Sequence, residues 1–502
     1  MNPRWAKALE SALGKERVAV DPASRLLYAR DMMSGGLLEE KARHEPHLPQ
    51  AVCRPASVSH IRGILAVARR HGVPVVPFGA GSGVSGGTNP VRGGIMLDLK
   101  SFTRLGPIEE RGGRFYVTAE SGILGQHLER DLNARGFTLG HFPSSILCAT
   151  VGGYLACRSA GQLSSKYGKI EDMTDAVEVV LASGEVVPFG GRLKKFPGLR
   201  PEDVFIGSEG CLGVFTRARF RVFPLPPATL YRGLSFRRVE DALTAVRQIM
   251  QSGLRPAVVR LYDPVDSLLL KHGYKKKNRS RSRSKTGGRA DWHYPLLLSR
   301  PSLVQKLVER ASSEALLILG FEGDAELARE MERQALRHAA TLRAKDLGPE
   351  PGQHWHDHRY SVSFKMPRLF ANGCYVDTIE TATTWDNLQA LYDGMREALM
   401  RRVLVLAHFS HAYPEGCSIY FTVVGKCRGP EEDLKTYGEI WHDAMEVCLG
   451  LGATISHHHG IGLLKAKFLP RELGGAMPLF RDIKKGLDPW NILNPGKMGL
   501  GS

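Results

Sequence analysis

Apolar residues recur at helical spacing in only a few stretches of this chain, and short apolar or alternating runs lie between them. Residues 57–72, SVSHIRGILAVARRHG, set Val58, Ile61, Ile64, Leu65 and Ala68 on one face and end in glycine. That spacing predicts an amphipathic helix with a C-terminal stop. The opening residues place Trp5, Leu9 and Leu13 at four-residue steps and predict another. Strand-like runs are PVVPF (74–78), GIMLDL (94–99), FYVTAE (115–120), AVEVVLASG (176–184) and FTRARFRVFPLP (215–226), the last ended by its prolines. Strands alternating with moderate helices give an α+β or α/β layout rather than an all-helical one. Glycine-rich character fades after Pro227 and returns near residue 453. The expected divisions are an N-terminal helical segment (1–45), a first domain (46–226), a second, helix-rich domain (227–452) and a C-terminal segment (453–502).

At 502 residues and 43% hydrophobic content, the chain can bury a sizeable core in two or three units. It contains no run of 18 apolar residues, and its start lacks the pattern of a secretory signal. Eight scattered cysteines without a CxxC pair fit reduced thiols, so a cytoplasmic location is expected. The net charge of +17 alters this picture by favouring an anionic partner. Part of it is local: seven of the eleven residues in KKKNRSRSRSK (275–285) are basic. The run reads as a solvated loop or as a segment drawn to an anionic membrane surface. No aromatic interrupts it to stack on bases, so a nucleic-acid partner is not expected.

Candidate chemistry begins at GSGVSG (81–86), which fits GxGxxG after a strand. A Rossmann loop must open a helix and be followed by an acidic residue about 20 positions on. Here Gly87, Thr88, Asn89, Pro90, Gly93 and Gly94 precede the next strand, leaving no room for a helix. The glycines still allow several backbone N–H groups to converge on an anion. Two further glycine-rich stretches are TVGGYLACRSAGQLSSKYGKIED (150–172) and GSEGCLGVFT (207–216).

These three segments, in this order, resemble the FAD-binding domain of the vanillyl-alcohol oxidase (PCMH-type) flavoproteins. The resemblance implies an α+β chain: a PCMH-type FAD domain, an α/β cap enclosing substrate, and a C-terminal segment returning to the FAD domain. It implies that Gly79, Ala80, Gly81, Ser82, Gly83, Val84 and Ser85 cradle the FAD pyrophosphate. Pro143, Ser144, Thr150, Gly152, Gly153 and Ser159 would line the flavin ring and ribityl chain, and Glu209, Gly210 and Gly213 would add backbone contacts. Some members attach FAD through a histidine of the first loop; residues 74–90 contain none, so non-covalent FAD is expected.

ISHHHGIG (455–462), with AVVRLYD (257–263), ETATTWD (380–386), GCSIYF (416–421) and GHFPSS (140–145), is similar to the alkyldihydroxyacetonephosphate synthase family. That likeness implies exchange of the acyl group of an acyl-dihydroxyacetone phosphate for a fatty alcohol through an adduct at flavin N5, a step in ether-lipid synthesis. Arg260 would hold the phosphate of this lipid-like substrate, and Tyr420 and His458 would move protons. His457 and His459 would position the turn, lying on one face of an extended segment with His458 on the other. The family carries an arginine where this chain has His408, which can be cationic but offers no planar fork. The alternative is an FAD-dependent dehydrogenase of a D-2-hydroxy acid. That family has Glu-His before its Gly-Ile-Gly turn and binds a divalent metal. Here His458 stands at the Glu position, and no metal is expected. The buried-core reading of Arg260 is an ion pair with Asp263. A homodimer is a further expectation. The histidines at 354, 356 and 358, within and beside WHDHRYS (355–361), are read as lining one side of a loop or strand.

Overall fold

The computed structural model describes residues 5–191, 200–268, 298–311, 314–360 and 366–500. The basic run 275–285 lies outside the described residues. The chain divides into two compact units, one made of residues 1–161, 167–225 and 456–502, the other of 162–166 and 226–455.

In the first unit, the predicted helix forms over Val58–His71. Ser57 caps its start by accepting from the His60 N–H, and Gly72 ends it in the left-handed region. Its buried face, Ile61, Ile64, Leu65 and Ala68, packs in one core with Trp5, Leu9 and Leu13 around the helix Ala6–Leu13. Under it lies a sheet in the order Val18–Ala19, Ala51–Cys53, Ile95–Asp98, Val75–Phe78, whose last three strands are parallel. All four residues of Ile95–Asp98 are buried, as a strand covered on both faces requires. An antiparallel sheet in the order Leu105–Arg111, Arg114–Glu120, Val214–Pro224, Thr174–Val180, Val186–Gly190 completes the unit, with Phe137–Thr138 paired beside its long central strand. No helix follows the Val75–Phe78 strand before Ile95, in keeping with the non-Rossmann reading of the loop.

The second unit is built on an antiparallel sheet of seven described strands. Their order is Lys345–Gly348, Ala228–Phe236, Ala315–Gly323, Val258–Tyr262, Leu404–Ala412, Gly416–Lys426, Cys374–Thr384. Helices including Val239–Gln251, Ala325–Thr341 and Leu388–Leu399 cover it with their apolar faces. Register matters here. Tyr262 lies opposite His408, His408 opposite Tyr420, and Tyr420 opposite Glu380, so four residues form one row across four strands. Because side chains alternate along a strand, Arg260 shares the face of Tyr262.

The histidines at 354, 356 and 358 lie on the helix Glu350–His358, not on a loop or strand. Pro351 near its start favours the first turn. Spacing of four residues brings the His354 and His358 rings into a stack at 4.2 Å, while His356 turns towards Tyr231.

No helix among the described residues is long and apolar enough to cross a membrane.

Candidate active site

In the first unit, the backbone N–H groups from Ala80 to Ser85 donate to no acceptor among the described residues. The segment is held from outside instead. Asp31, buried, accepts from the Gly86 N–H at 2.9 Å and the Met33 N–H at 3.0 Å. Gly83 returns its carbonyl to the Met32 N–H at 2.8 Å. The buried Lys497 ammonium donates to the Asn89 carbonyl at 2.6 Å, and Asn494 donates to the carbonyls of Gly87 and Glu209. Burial pushes the Asp31 carboxyl up to about 6 and the Lys497 ammonium down to about 8. Such a loop, with glycines at 81 and 86 in the left-handed region and a row of free donors, is a nest for an anion.

Thr150 caps the short helix Val151–Cys157 through the Gly153 N–H, and the Gly152 N–H donates to the Ser121 carbonyl at 2.7 Å. A Cβ on Gly79 would strike the Thr150 hydroxyl, so loop and helix approach through glycine. Ser159 bonds His141 Nε2 at 2.6 Å. Burial, helped by Lys169, drives His141 down to about 3, so this imidazole is neutral. Pro143 is buried and Ser144 exposed. The buried atoms His141 Nδ1, Thr88 Oγ1, Ser121 Oγ and Ser208 Oγ lack partners among the described residues. Open loop donors, glycine approach and orphaned buried polar atoms together fit a dinucleotide cofactor with a phosphate bridge.

The triple histidine departs from expectation. Residues 457–459 run through bends, not an extended strand. His457 Nδ1 and His458 Nδ1 lie 3.0 Å apart, and the His458 ring meets that of His459 edge-on at 4.6 Å. The three rings therefore touch in sequence instead of alternating between faces. The bends are imposed by distant anchors. Lys169 donates to the His457 carbonyl at 2.8 Å, and the Ser85 hydroxyl donates to the carbonyls of His459 and Gly460. The N–H groups of Leu463 and Leu464 return to the Ser85 carbonyl. Glu209 accepts from the N–H groups of Ile461 and Gly462 with its two carboxylate oxygens. Burial raises its carboxyl to about 7 against these donors. Its side-chain role was invisible in the GSEG motif, which suggested backbone contacts alone.

In the second unit, the predicted residues Arg260, His408 and Tyr420 come together. Arg260 Nε donates to the Tyr262 hydroxyl at 2.7 Å, and Nη2 to His408 Nε2 at 2.9 Å. It does not pair with Asp263, which accepts from the Tyr392 hydroxyl and the Asp266 N–H. Arg260 makes no ion pair among the described residues. His408 stacks on Tyr420 at 4.7 Å and 22°, and its Nδ1 lies 3.4 Å from Asp266. His408 can be cationic by its chemistry, but its surroundings oppose the charge. Burial, with Arg260 next, holds it well below the ordinary histidine range, and a guanidinium can only donate to Nε2. His408 Nε2 is taken up by the Arg260 guanidinium. Burial pushes the Tyr420 phenol up to about 12, so it keeps its proton. Tyr262 and Asp266 were not singled out from sequence; the spacing Arg260-x-Tyr262 in a strand was the available signal for the first.

Residues 49–190 match the FAD binding domain family, and residues 225–498 match the family described as FAD linked oxidases, C-terminal domain. The chain belongs to the FAD-linked oxidases: it is an FAD-dependent enzyme with a PCMH-type fold. It is 29% identical to the alkyldihydroxyacetonephosphate synthase of Trypanosoma brucei brucei, over 98% of this chain and 79% of that one. It is 26% identical to the synthase of the same name from Dictyostelium discoideum, over 99% and 80%. A solved structure of an alkyldihydroxyacetonephosphate synthase superposes with a TM-score of 0.77 at 24% identity, covering 99% of this chain and 85% of the other.

Proposed function

We propose that this enzyme exchanges the acyl group of an acyl-dihydroxyacetone phosphate for a fatty alcohol, as its synthase relatives' names indicate. The observation that carries the reading is Arg260: a half-buried guanidinium, held on two sides by neutral partners and with no carboxylate paired to it among the described residues. A charge so placed calls for an anionic ligand, and a planar fork suits a phosphate.

FAD, when bound, supplies the electron-deficient ring of the reaction. The chain supplies the rest. The nest at Ala80–Ser85 binds the cofactor's diphosphate, with Gly79 letting Thr150 lie close. Arg260 fixes the substrate by its phosphate. Tyr420, protonated at neutral pH, donates a hydrogen bond or proton to an oxygen, while an imidazole of the His457–His459 turn accepts one. The ester C–O bond at the glycerone carbon breaks, releasing a carboxylate. The alcohol forms the ether bond and gives up its proton, so there is no net oxidation.

The test is anaerobic. FAD-loaded protein is mixed with palmitoyl-dihydroxyacetone phosphate and hexadecanol, with D-2-hydroxy acids in parallel. Palmitate release matched by ether product, without electrons reaching an external acceptor, is the expected result. Tyr420→Phe should cut turnover about 100-fold with KM within about threefold. Flavin reduction by a hydroxy acid alone would instead make the enzyme a dehydrogenase.

A further inference from the structure

The surroundings of Arg260 raise a separate question: what keeps a flexible, charged side chain in one orientation where no counter-ion among the described residues holds it? The row Tyr262–His408–Tyr420 answers it. Tyr262 takes the Nε–H at 2.7 Å and His408 takes an Nη2–H at 2.9 Å, which fixes the guanidinium plane from two directions. Nη1 makes no hydrogen bond to any described residue. His408 can serve as the second anchor only with a lone pair on Nε2, hence with its single proton on Nδ1. Nδ1 lies 3.4 Å from an Asp266 carboxylate oxygen, without a hydrogen bond between them, so that negative charge favours the proton on Nδ1 through space. Tyr420, stacked on the ring, and Tyr262, tilted against it at 5.8 Å, prevent the imidazole from turning over. A second arginine at position 408 could not do this work, because two guanidinium groups have no acceptor between them.

We infer that His408 is a positioning residue, a neutral hydrogen-bond acceptor whose Nδ1–H tautomer the nearby Asp266 charge favours and that aims the open edge of Arg260 at an oxyanion. The chemistry of the ligand group is that of a phosphate monoester or inorganic phosphate. The inference deepens the reading of Arg260 as the substrate's anion receptor and rests on it.

The experiment uses the full FAD-loaded chain. Calorimetric binding of dihydroxyacetone phosphate and of inorganic phosphate is measured for wild type, His408→Phe, His408→Gln, Asp266→Asn and Arg260→Met, with thermal unfolding of each. His408→Phe keeps a ring on Tyr420 but has no acceptor, and should bind dihydroxyacetone phosphate about tenfold more weakly. His408→Gln restores an acceptor and should come within about threefold of wild type; Asp266→Asn should lie between them. Preference for the monoester over inorganic phosphate tells which source the site takes. If Arg260→Met abolishes binding but His408→Phe matches wild type, the positioning role is overturned while the receptor stands. Wild-type protein that binds neither anion, or Arg260→Met that binds both normally, overturns the receptor and the inference with it. Loss of binding in both His408 variants, with unfolding unchanged, overturns the acceptor role specifically. None of these readouts needs turnover, so failure of the synthase assay is a separate result.

Discussion

Glu209 is a residue whose ionisation is finely balanced. Its backbone is left-handed, at φ +51°, and its buried carboxylate spans two adjacent N–H groups of the Gly-Ile-Gly turn. An ordinary glutamate titrates near 4.5, and here burial raises the value to about 7. Between those values the folded chain binds the proton more strongly than the unfolded chain. The contribution of this group to stability is therefore full below about 4.5 and declines as pH rises through about 7. Glutamine does not titrate. The unfolding free energy of wild type minus that of Glu209→Gln, from urea melts, is expected to decline between pH 5 and pH 8. A difference that stays flat would show that this carboxyl does not titrate in the window.

Single elements differ in how readily the sequence discloses them. The helix Val58–His71 was legible because cap, stop and apolar stripe agree, and the stripe is the face that is buried. The glycine loop's departure from a Rossmann turn was legible because no helix could fit after it. The histidine turn was not. Its ring directions come from Lys169 and Ser85, residues nearly 300 and nearly 400 positions away, and local alternation cannot anticipate such anchors. The histidines near Trp355 misled because spacings of two and four both fit 354, 356 and 358, and the four-residue spacing prevailed in a helix. At the turn, Gly462 sits at φ +54° with Ser85 where a side chain would go. Gly462→Ala should displace the turn from the loop and weaken FAD retention by about tenfold or more. The ratio of flavin to protein absorbance after dialysis measures this; an unchanged ratio would mean that the turn does not support cofactor binding.

For the molecule as a whole, the unbalanced quantity is charge. We propose that the excess of 17 positive charges draws the enzyme to an anionic bilayer. Co-sedimentation with vesicles containing phosphatidylserine should exceed that with neutral vesicles and fall steeply between 50 mM and 500 mM salt. Equal recovery on both would remove the membrane from the account. The fold class could be read from the order of the glycine segments, but not the way distant parts of the chain share one loop. Asp31 fastens Gly86 from 55 residues upstream, and Lys497 fastens Asn89 from 408 residues downstream. A growing chain on the ribosome thus makes Asp31 and the glycine loop first and Lys497 only 408 residues after Asn89. Flavin loading is consequently expected to wait for Asn494 and Lys497. A nascent chain arrested before residue 456 should emerge colourless however much FAD surrounds it.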